Sequence, residues 1–221
     1  DAIVAMTTAQ ANSLTTAQVA GLSTDQIATL ESTDLRALST QTLRAFSSDQ
    51  LAALTSDQMP QLTTQQVAAL TTAQIASLST DDLTALSTQQ FAGMATTQLR
   101  ALTSDQLGAM ASDDLAALGT RGVAALTSAQ FGALSTDSIQ AMTTQQWAAL
   151  GSAQAAGLST DQIPAITSED LSAIGTAAIR SLTSDQFAAL TTDQMPHLVT
   201  RQLAALTSVQ AAGLDSEALG A

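Results

Sequence analysis

Apolar residues recur along this chain every eight positions from Met6 onward. With Met6 as position 1 of octad 0, position 1 is apolar in all 27 octads, and position 6 is apolar throughout. Position 3 is always Ser or Thr, and position 5 is mostly Gln. The consensus reads L-[ST]-[ST]-D-Q-L-A-A. Internal repetition is therefore the property from which the fold is predicted.

The eight-residue period fits neither one long helix nor a strand. At 3.6 residues per turn, the apolar stripe would advance about 80° per octad and wind around a continuous helix. In a strand, positions 1 and 6 would face opposite sides of the sheet, because successive side chains alternate. Each octad therefore predicts one very short helix followed by a corner.

The start of each helix has two interpretations, which residues 54–59 illustrate. If Thr55 is the N-cap, Gln58 completes a capping box, and Leu54 and Met59 form a hydrophobic staple. If Ser56 is the N-cap, the helix starts one residue later. Position 3 always carries a hydroxyl, whereas position 2 also admits Ala and Val, which cap poorly. The three prolines stand at position 7. If position 3 is the cap, position 7 lies nearer the first turn of the helix, where proline is better tolerated. We therefore favour position 3 as the cap and predict helices over positions 4 to 8.

Helices of five or six residues need packing for stability. Positions 1 and 6 offer two apolar anchors per octad, each worth roughly 1.5–3 kcal/mol when buried, and small residues at position 8 permit close backbone approach. The prediction is an all-α solenoid of about 27 short-helix repeats, forming a single domain over residues 1–221 within a longer array. A β-solenoid is the weaker alternative, because Ala, Gln and Leu disfavour strands.

A second period appears in the acids at position 4, which recur every three and a half octads once Asp185 is set aside. This predicts a superhelix with about 3.5 octads per turn and one acidic side. The aromatic residues Phe91 and Trp147 lie seven octads apart, which suggests that a block of seven octads was duplicated. Such a duplication would explain a period of seven octads but not the observed period of three and a half. The pattern continues to Glu217, and the predicted acidic stripe consists of Asp25, Asp49, Asp57, Asp81, Asp105, Asp113, Asp137 and Asp161.

The arginines fall half a superhelical turn away from the acids. Acidic and basic sides on one rod predict side-by-side docking, in a heterologous contact that does not close on itself. Apolar core residues stand at both ends of the chain, with Val4 at the start and Leu219 near the end. They predict end-to-end self-association as well. The predicted Arg stripe consists of Arg36, Arg44, Arg100, Arg121 and Arg180.

Composition removes several classes of function. The net charge is −13 with six Lys+Arg, so the chain cannot neutralise nucleic-acid phosphates. It has no Cys for disulfides or thiolate metal sites. No apolar run approaches the length that predicts membrane insertion. The chain opens at Asp1 without a basic and apolar leader, so a mature or excised segment is expected.

Catalytic and cofactor chemistry is also not predicted. His197 is the single His, and its place after Pro196 favours a surface corner. Adjacent acids such as Asp81 and Asp82 fit the first turn of a helix, where they favour the helix dipole. Trp147 shares an apolar position and is expected in the core. We predict no enzyme and no cofactor, and at most weak surface binding of Ca²⁺, because no EF-hand spacing occurs.

Runs such as LSTDQI (22–27) and LTTDQM (190–195) resemble the L-[ST]-x-x-Q-[LIV]-x-A-L repeats of very large secreted or surface proteins of Gram-negative bacteria. The resemblance covers the whole chain in the form L-[ST]-[ST]-D-Q-[LIV]-x-A. It implies an extracellular or cell-surface protein without enzymatic activity: a stalk, an adhesin segment that contacts a host or matrix surface, or a fibre-forming subunit. A solenoid binding module for a protein or glycan is the alternative.

Overall fold

The computed structural model describes residue 3 and residues 5–212, and this part of the chain contains 23 short α-helices and no strand. The all-α prediction is confirmed, and the β-solenoid alternative is wrong. Val4 and the last octad, with Glu217 and Leu219, lie outside the described residues. The helices are Thr8–Ser13, Thr16–Ala20, Thr24–Ala28, Ser32–Ala37, Thr40–Arg44, Ser48–Ala52, Thr64–Ala69, Thr72–Ser77, Thr80–Thr84, Thr88–Ala92, Thr96–Ala101, Ser104–Gly108, Ser112–Ala117, Gly119–Ala125, Ser128–Gly132, Thr136–Ala141, Thr144–Ala148, Ser152–Gly157, Ser168–Ala173, Thr176–Ser181, Ser184–Ala188, Thr200–Leu203 and Ser208–Ala212.

Apart from Gly119–Ala125, the described α-helices begin at position 3 and have position 2 as the N-cap, so the prediction of a position-3 cap is wrong. In the first helix the Thr7 hydroxyl accepts the Gln10 N–H, and the Thr7 N–H donates to Gln10 Oε1 at 2.8 Å. This register puts the position-5 glutamine at N3, where the capping box needs it. An alanine cap is tolerated because half of the box persists: the Ala95 N–H still donates to Gln98 Oε1 at 2.8 Å.

The three proline octads carry 3₁₀ turns in place of α-helices: Met59–Gln61, Ile163–Ala165 and Met195–His197. Pro60 has no N–H to donate to the carbonyl four residues before it. The chain instead tightens, and the Gln61 N–H donates to the Gln58 carbonyl at 3.0 Å. The prolines are therefore not accommodated within α-helices, and their position does not support a cap at position 3.

The chain divides into two compact units, Asp1–Ala109 and Met110–Ala221, and the described residues of each unit form a solenoid of octads. Within a unit, helices three octads apart pack together: Thr8–Ser13 lies against Ser32–Ala37 in the first, and Ser128–Gly132 against Ser152–Gly157 in the second. Positions 1 and 6 form the core. Trp147 is fully buried there, as predicted, and its indole N–H has no hydrogen-bond partner among the described residues.

Two glycines mark places where the backbone has special requirements. A Cβ on Gly157, at position 8, would lie 2.2 Å from the carbonyl oxygen of Ser128, so the small residue allows close backbone approach as predicted. Gly119 has φ +62° and stands at position 2, where other octads carry their cap. Its left-handed conformation joins two helices directly, and glycine adopts it without steric cost.

Candidate interaction surface

A ladder of buried glutamines joins the successive turns of each solenoid. In the first unit, Gln50 Nε2 donates to the carbonyl oxygens of Leu22 at 2.7 Å and Val19 at 2.9 Å. In the second, Gln194 Nε2 donates to Ile166 at 2.7 Å and Ile163 at 2.9 Å. The partners lie 28 and 31 residues earlier, so one turn of the solenoid holds three and a half octads, as the sequence predicts.

Each ladder glutamine performs two tasks with one side chain. Its Oε1 accepts the N–H of its own position-2 residue, as Gln194 does from Thr191 at 2.9 Å, while its Nε2 reaches the previous turn. The local sequence pattern indicates only the capping task. A signal for the second task was present: a capping box accepts Glu as well as Gln, yet no octad carries Glu at position 5.

Other residues at position 5 show what the ladder requires. Thr42 Oγ1 donates to the Leu14 carbonyl oxygen at 3.2 Å, and Ser138 Oγ donates to that of Met110 at 3.5 Å, both 28 residues earlier. These polar residues share a side-chain donor to the previous turn, whereas Gly122 and Ala178, at the same position, have no side-chain donor. The four aspartates at this position are buried and, when ionised, have none to offer: Asp34, Asp82, Asp114 and Asp170.

The predicted acidic stripe lies entirely on the exposed surface. Most of its members are the second residue of their helix, where a carboxylate favours the N-terminal dipole, whereas Asp57 and Asp161 stand in turns before 3₁₀ helices. Because three and a half octads make one turn, Asp25 and Asp81 stand two turns apart along one line. Exposed are Asp25, Asp49, Asp57, Asp81, Asp105, Asp113, Asp137 and Asp161.

The predicted Arg stripe is exposed as well, and two of its members line grooves in the first unit. Arg44 borders a groove of about 450 Å³ with Thr71 and Thr72. Arg36 borders one of about 220 Å³ with Thr63 and Thr64. Neither guanidinium forms an ion pair within the part of the chain that the structure describes. Opposition of the two stripes stays a prediction for Arg36, Arg44, Arg100, Arg121 and Arg180, all of which are exposed.

These grooves were not among the sites predicted from the sequence, although the residues that line them recur in the repeat. Each combines an Arg at position 7 with the Ser/Thr pair at positions 2 and 3 of an octad on the next turn. The spacing of Arg36 and Arg44 by one octad is the signal that could have found them. His197 is exposed at the end of a 3₁₀ turn, as expected. Among the described helices, none is long and apolar enough to cross a bilayer.

Comparison with known families agrees with this repeat. A family model described as the ALTTAQ repeat matches residues 3–32, 27–64, 75–112, 107–144 and 163–200. The six letters occur in this chain at residues 69–74, where they run from position 8 through the cap to the ladder glutamine. No curated protein sequence matches the chain.

Proposed function

We propose that this chain, which belongs to the ALTTAQ repeat family, is a non-enzymatic structural repeat protein of the cell exterior. It would act as a stalk, an adhesin segment or a fibre-forming subunit in a longer array. The resemblance to repeats of large surface proteins of Gram-negative bacteria favours this setting. The absence of Cys from the sequence suits an exported protein that must avoid wrong disulfides.

The observation that carries the proposal is the glutamine ladder. Because each turn is bonded to the previous one in the same way, the architecture extends by adding octads and needs no other domain. The glutamine amides of the first described turn, Gln10, Gln18 and Gln26, are exposed. They match the donors that later turns use.

Electron microscopy of the purified chain tests the structural role. We expect rods that associate into fibres or bundles through their charged sides and through their ends. Exposed ion pairs contribute only about 0–1 kcal/mol each and are screened by salt, so charge would orient neighbouring rods rather than hold them tightly. Well-dispersed particles at all protein concentrations and low salt would contradict the fibre-forming role.

The stripe residues are tested by the combined substitution of Arg36, Arg44, Arg100, Arg121 and Arg180 by Gln. We expect this variant to keep its helical circular dichroism spectrum and to lose side-by-side bundling, as would the unaltered chain at high salt. Replacing five exposed Ala residues at position 7 by Gln provides a control of equal size without charge change. Bundles that persist in both the Arg variant and high salt would exclude docking through the stripes.

A binding module is the second candidate, and the two Arg grooves favour it. A guanidinium beside Ser/Thr hydroxyls matches a glycan that carries carboxylate or sulfate groups. Binding of the chain to a sulfated polysaccharide column is expected to weaken in the Arg36→Gln and Arg44→Gln double variant. The Arg121→Gln and Arg180→Gln double variant, in the other unit, removes the same number of charges and is the matched control. Equal retention of both variants would remove this candidate.

A further inference from the structure

The position-5 aspartates occupy ladder sites that need a donor. One octad to either side of Asp82, Gln74 Nε2 donates to the Phe46 carbonyl oxygen at 2.9 Å and Gln90 Nε2 to that of Leu62 at 2.6 Å. The same register assigns to Asp82 the carbonyls of Leu54 and Leu51. It assigns the carbonyls of Met6 and Ile3 to Asp34, and those of Met142 and Ile139 to Asp170. An ionised carboxylate at these sites would face carbonyl oxygens. Both groups are hydrogen-bond acceptors, so no hydrogen bond can form between them.

These carboxyl groups are shielded from solvent. Asp34 is 2% exposed, Asp170 6% and Asp82 9%. Asp34 Oδ2 is buried and has no hydrogen-bond partner among the described residues, and its octad carries Glu31 at the cap position, so no cap hydroxyl is available to it. A buried charged oxygen without a partner is costly, so the site favours any partner that binds or neutralises this oxygen.

Asp82 and Asp170 retain the capping bond and leave one oxygen for the ladder. Asp82 Oδ2 accepts from the Ser79 hydroxyl at 2.6 Å, and Asp170 Oδ2 accepts from the Thr167 hydroxyl at 2.6 Å. The opposing position-1 carbonyls, such as Leu54 and Met142, accept no backbone N–H within the described part of the chain. Each site therefore contains several oxygen atoms and lacks the amide that elsewhere lies between them.

We propose that Asp34, Asp82 and Asp170 each hold a Ca²⁺-type cation between the carboxylate and main-chain carbonyl oxygens of the previous turn. Asp is one methylene shorter than Gln, so its carboxylate stops about 1.5 Å short of the place of the amide nitrogen. Ca²⁺ contacts oxygen at about 2.3–2.6 Å and can bridge two oxygens roughly 4.5 Å apart.

The sites differ from acidic clusters on the surface. No three acidic or His side chains among the described residues converge on one point, so main-chain oxygens would supply the ligands beyond the single carboxylate. The cation would do for an aspartate octad what Nε2 does for a glutamine octad: join the turn to its predecessor. Solenoid stability would then depend on Ca²⁺ at the octads that carry aspartate.

A pair of matched triple variants tests this inference in the full chain. The position-5 variant is Asp34→Gln, Asp82→Gln and Asp170→Gln, which restores the consensus ladder. The position-4 variant is Asp25→Gln, Asp81→Gln and Glu169→Gln, which removes the same three charges from exposed sites, two of them beside the position-5 residues. Thermal unfolding is followed by circular dichroism in 2 mM CaCl₂ and in 2 mM EDTA, with MgCl₂ as a second divalent salt.

We expect Ca²⁺ to raise the unfolding midpoint of the unaltered chain by on the order of 2–4 °C, and Mg²⁺ to raise it less. The position-4 variant should show the same rise. The position-5 variant should show none, and in EDTA it should melt above the unaltered chain. The inference is overturned if Ca²⁺ does not stabilise the unaltered chain, or if it stabilises the position-5 variant equally. Neither result depends on whether the chain forms fibres.

Discussion

At the scale of the residue, position 5 shows how one amide can satisfy two parts of the backbone. Its oxygen accepts at the start of its own helix, and its nitrogen donates to the previous turn. A typical hydrogen bond contributes about 0.5–1.5 kcal/mol net, but an unsatisfied buried group costs about 1–3 kcal/mol. The ladder is therefore more sensitive to the loss of a donor than to any change on the surface.

Gln90→Glu tests the donor directly. The substitution keeps an oxygen for the Ser87 N–H but replaces Nε2, so the carbonyls of Leu62 and Met59 lose their donor. We expect a loss of about 2 kcal/mol or more in the free energy of unfolding, measured by urea denaturation at neutral pH.

Gln26→Glu is the matched control, because Gln26 makes the same capping box but is exposed. Its unfolding free energy should change by less than about 0.5 kcal/mol. Equal effects at the two positions would show that capping alone explains the glutamines.

The residue scale also explains what the sequence could and could not predict. The apolar positions follow from local chemistry and are predicted. The capping box belongs to one of the two interpretations of the helix start, and the favoured one, a position-3 cap, lies one residue late. The invariable hydroxyl at position 3 favours that choice, although the geometry that puts Gln58 at N3 contradicts it. Apart from Ser152, no position-3 hydroxyl bonds to another octad in the described chain, and nothing in the structure explains why Ser or Thr always stands there.

At the scale of the element, these helices have four to seven residues and depend on contacts from outside themselves. The closest packing is at Ser152–Gly157, which lies between Ser128–Gly132 and Thr176–Ser181. The small residues at position 8 predict such close approach, but which glycine is indispensable depends on where the neighbouring turn passes. That information lies a full solenoid turn away along the chain, outside any local pattern.

Gly157→Ala tests this packing. The added methyl would lie 2.2 Å from the Ser128 carbonyl oxygen, and backbone must move to make room. We expect a loss of about 2 kcal/mol or more of stability, seen as a lower thermal midpoint. Gly175→Ala is the control, since a Cβ there meets nothing within 4 Å, and it should leave the midpoint nearly unchanged.

At the scale of the molecule, the ladder sets a rule for insertions and deletions. Removing residues 63–70 takes out one whole octad, so every later position 5 still meets a position 1 on the preceding turn. We expect this deletion variant to keep cooperative unfolding. Removing residues 63–66 should abolish cooperative unfolding of the first unit, because position 5 then opposes the wrong carbonyls. Calorimetry and circular dichroism distinguish the two, and equal tolerance of both deletions would show that the register is not fixed by the ladder.

The short reach of the ladder has a mechanical consequence. Inter-turn hydrogen bonds in the described chain span 25 to 31 residues, so no bond ties a turn to a distant part of the sequence. Under tension, a terminal turn can detach without disturbing those behind it. Each detached turn frees 28 residues, or on the order of 90–100 Å of extended contour length. A surface tether built in this way would lengthen stepwise under load, dissipate energy at each step, and re-form from the turn that remains as its template.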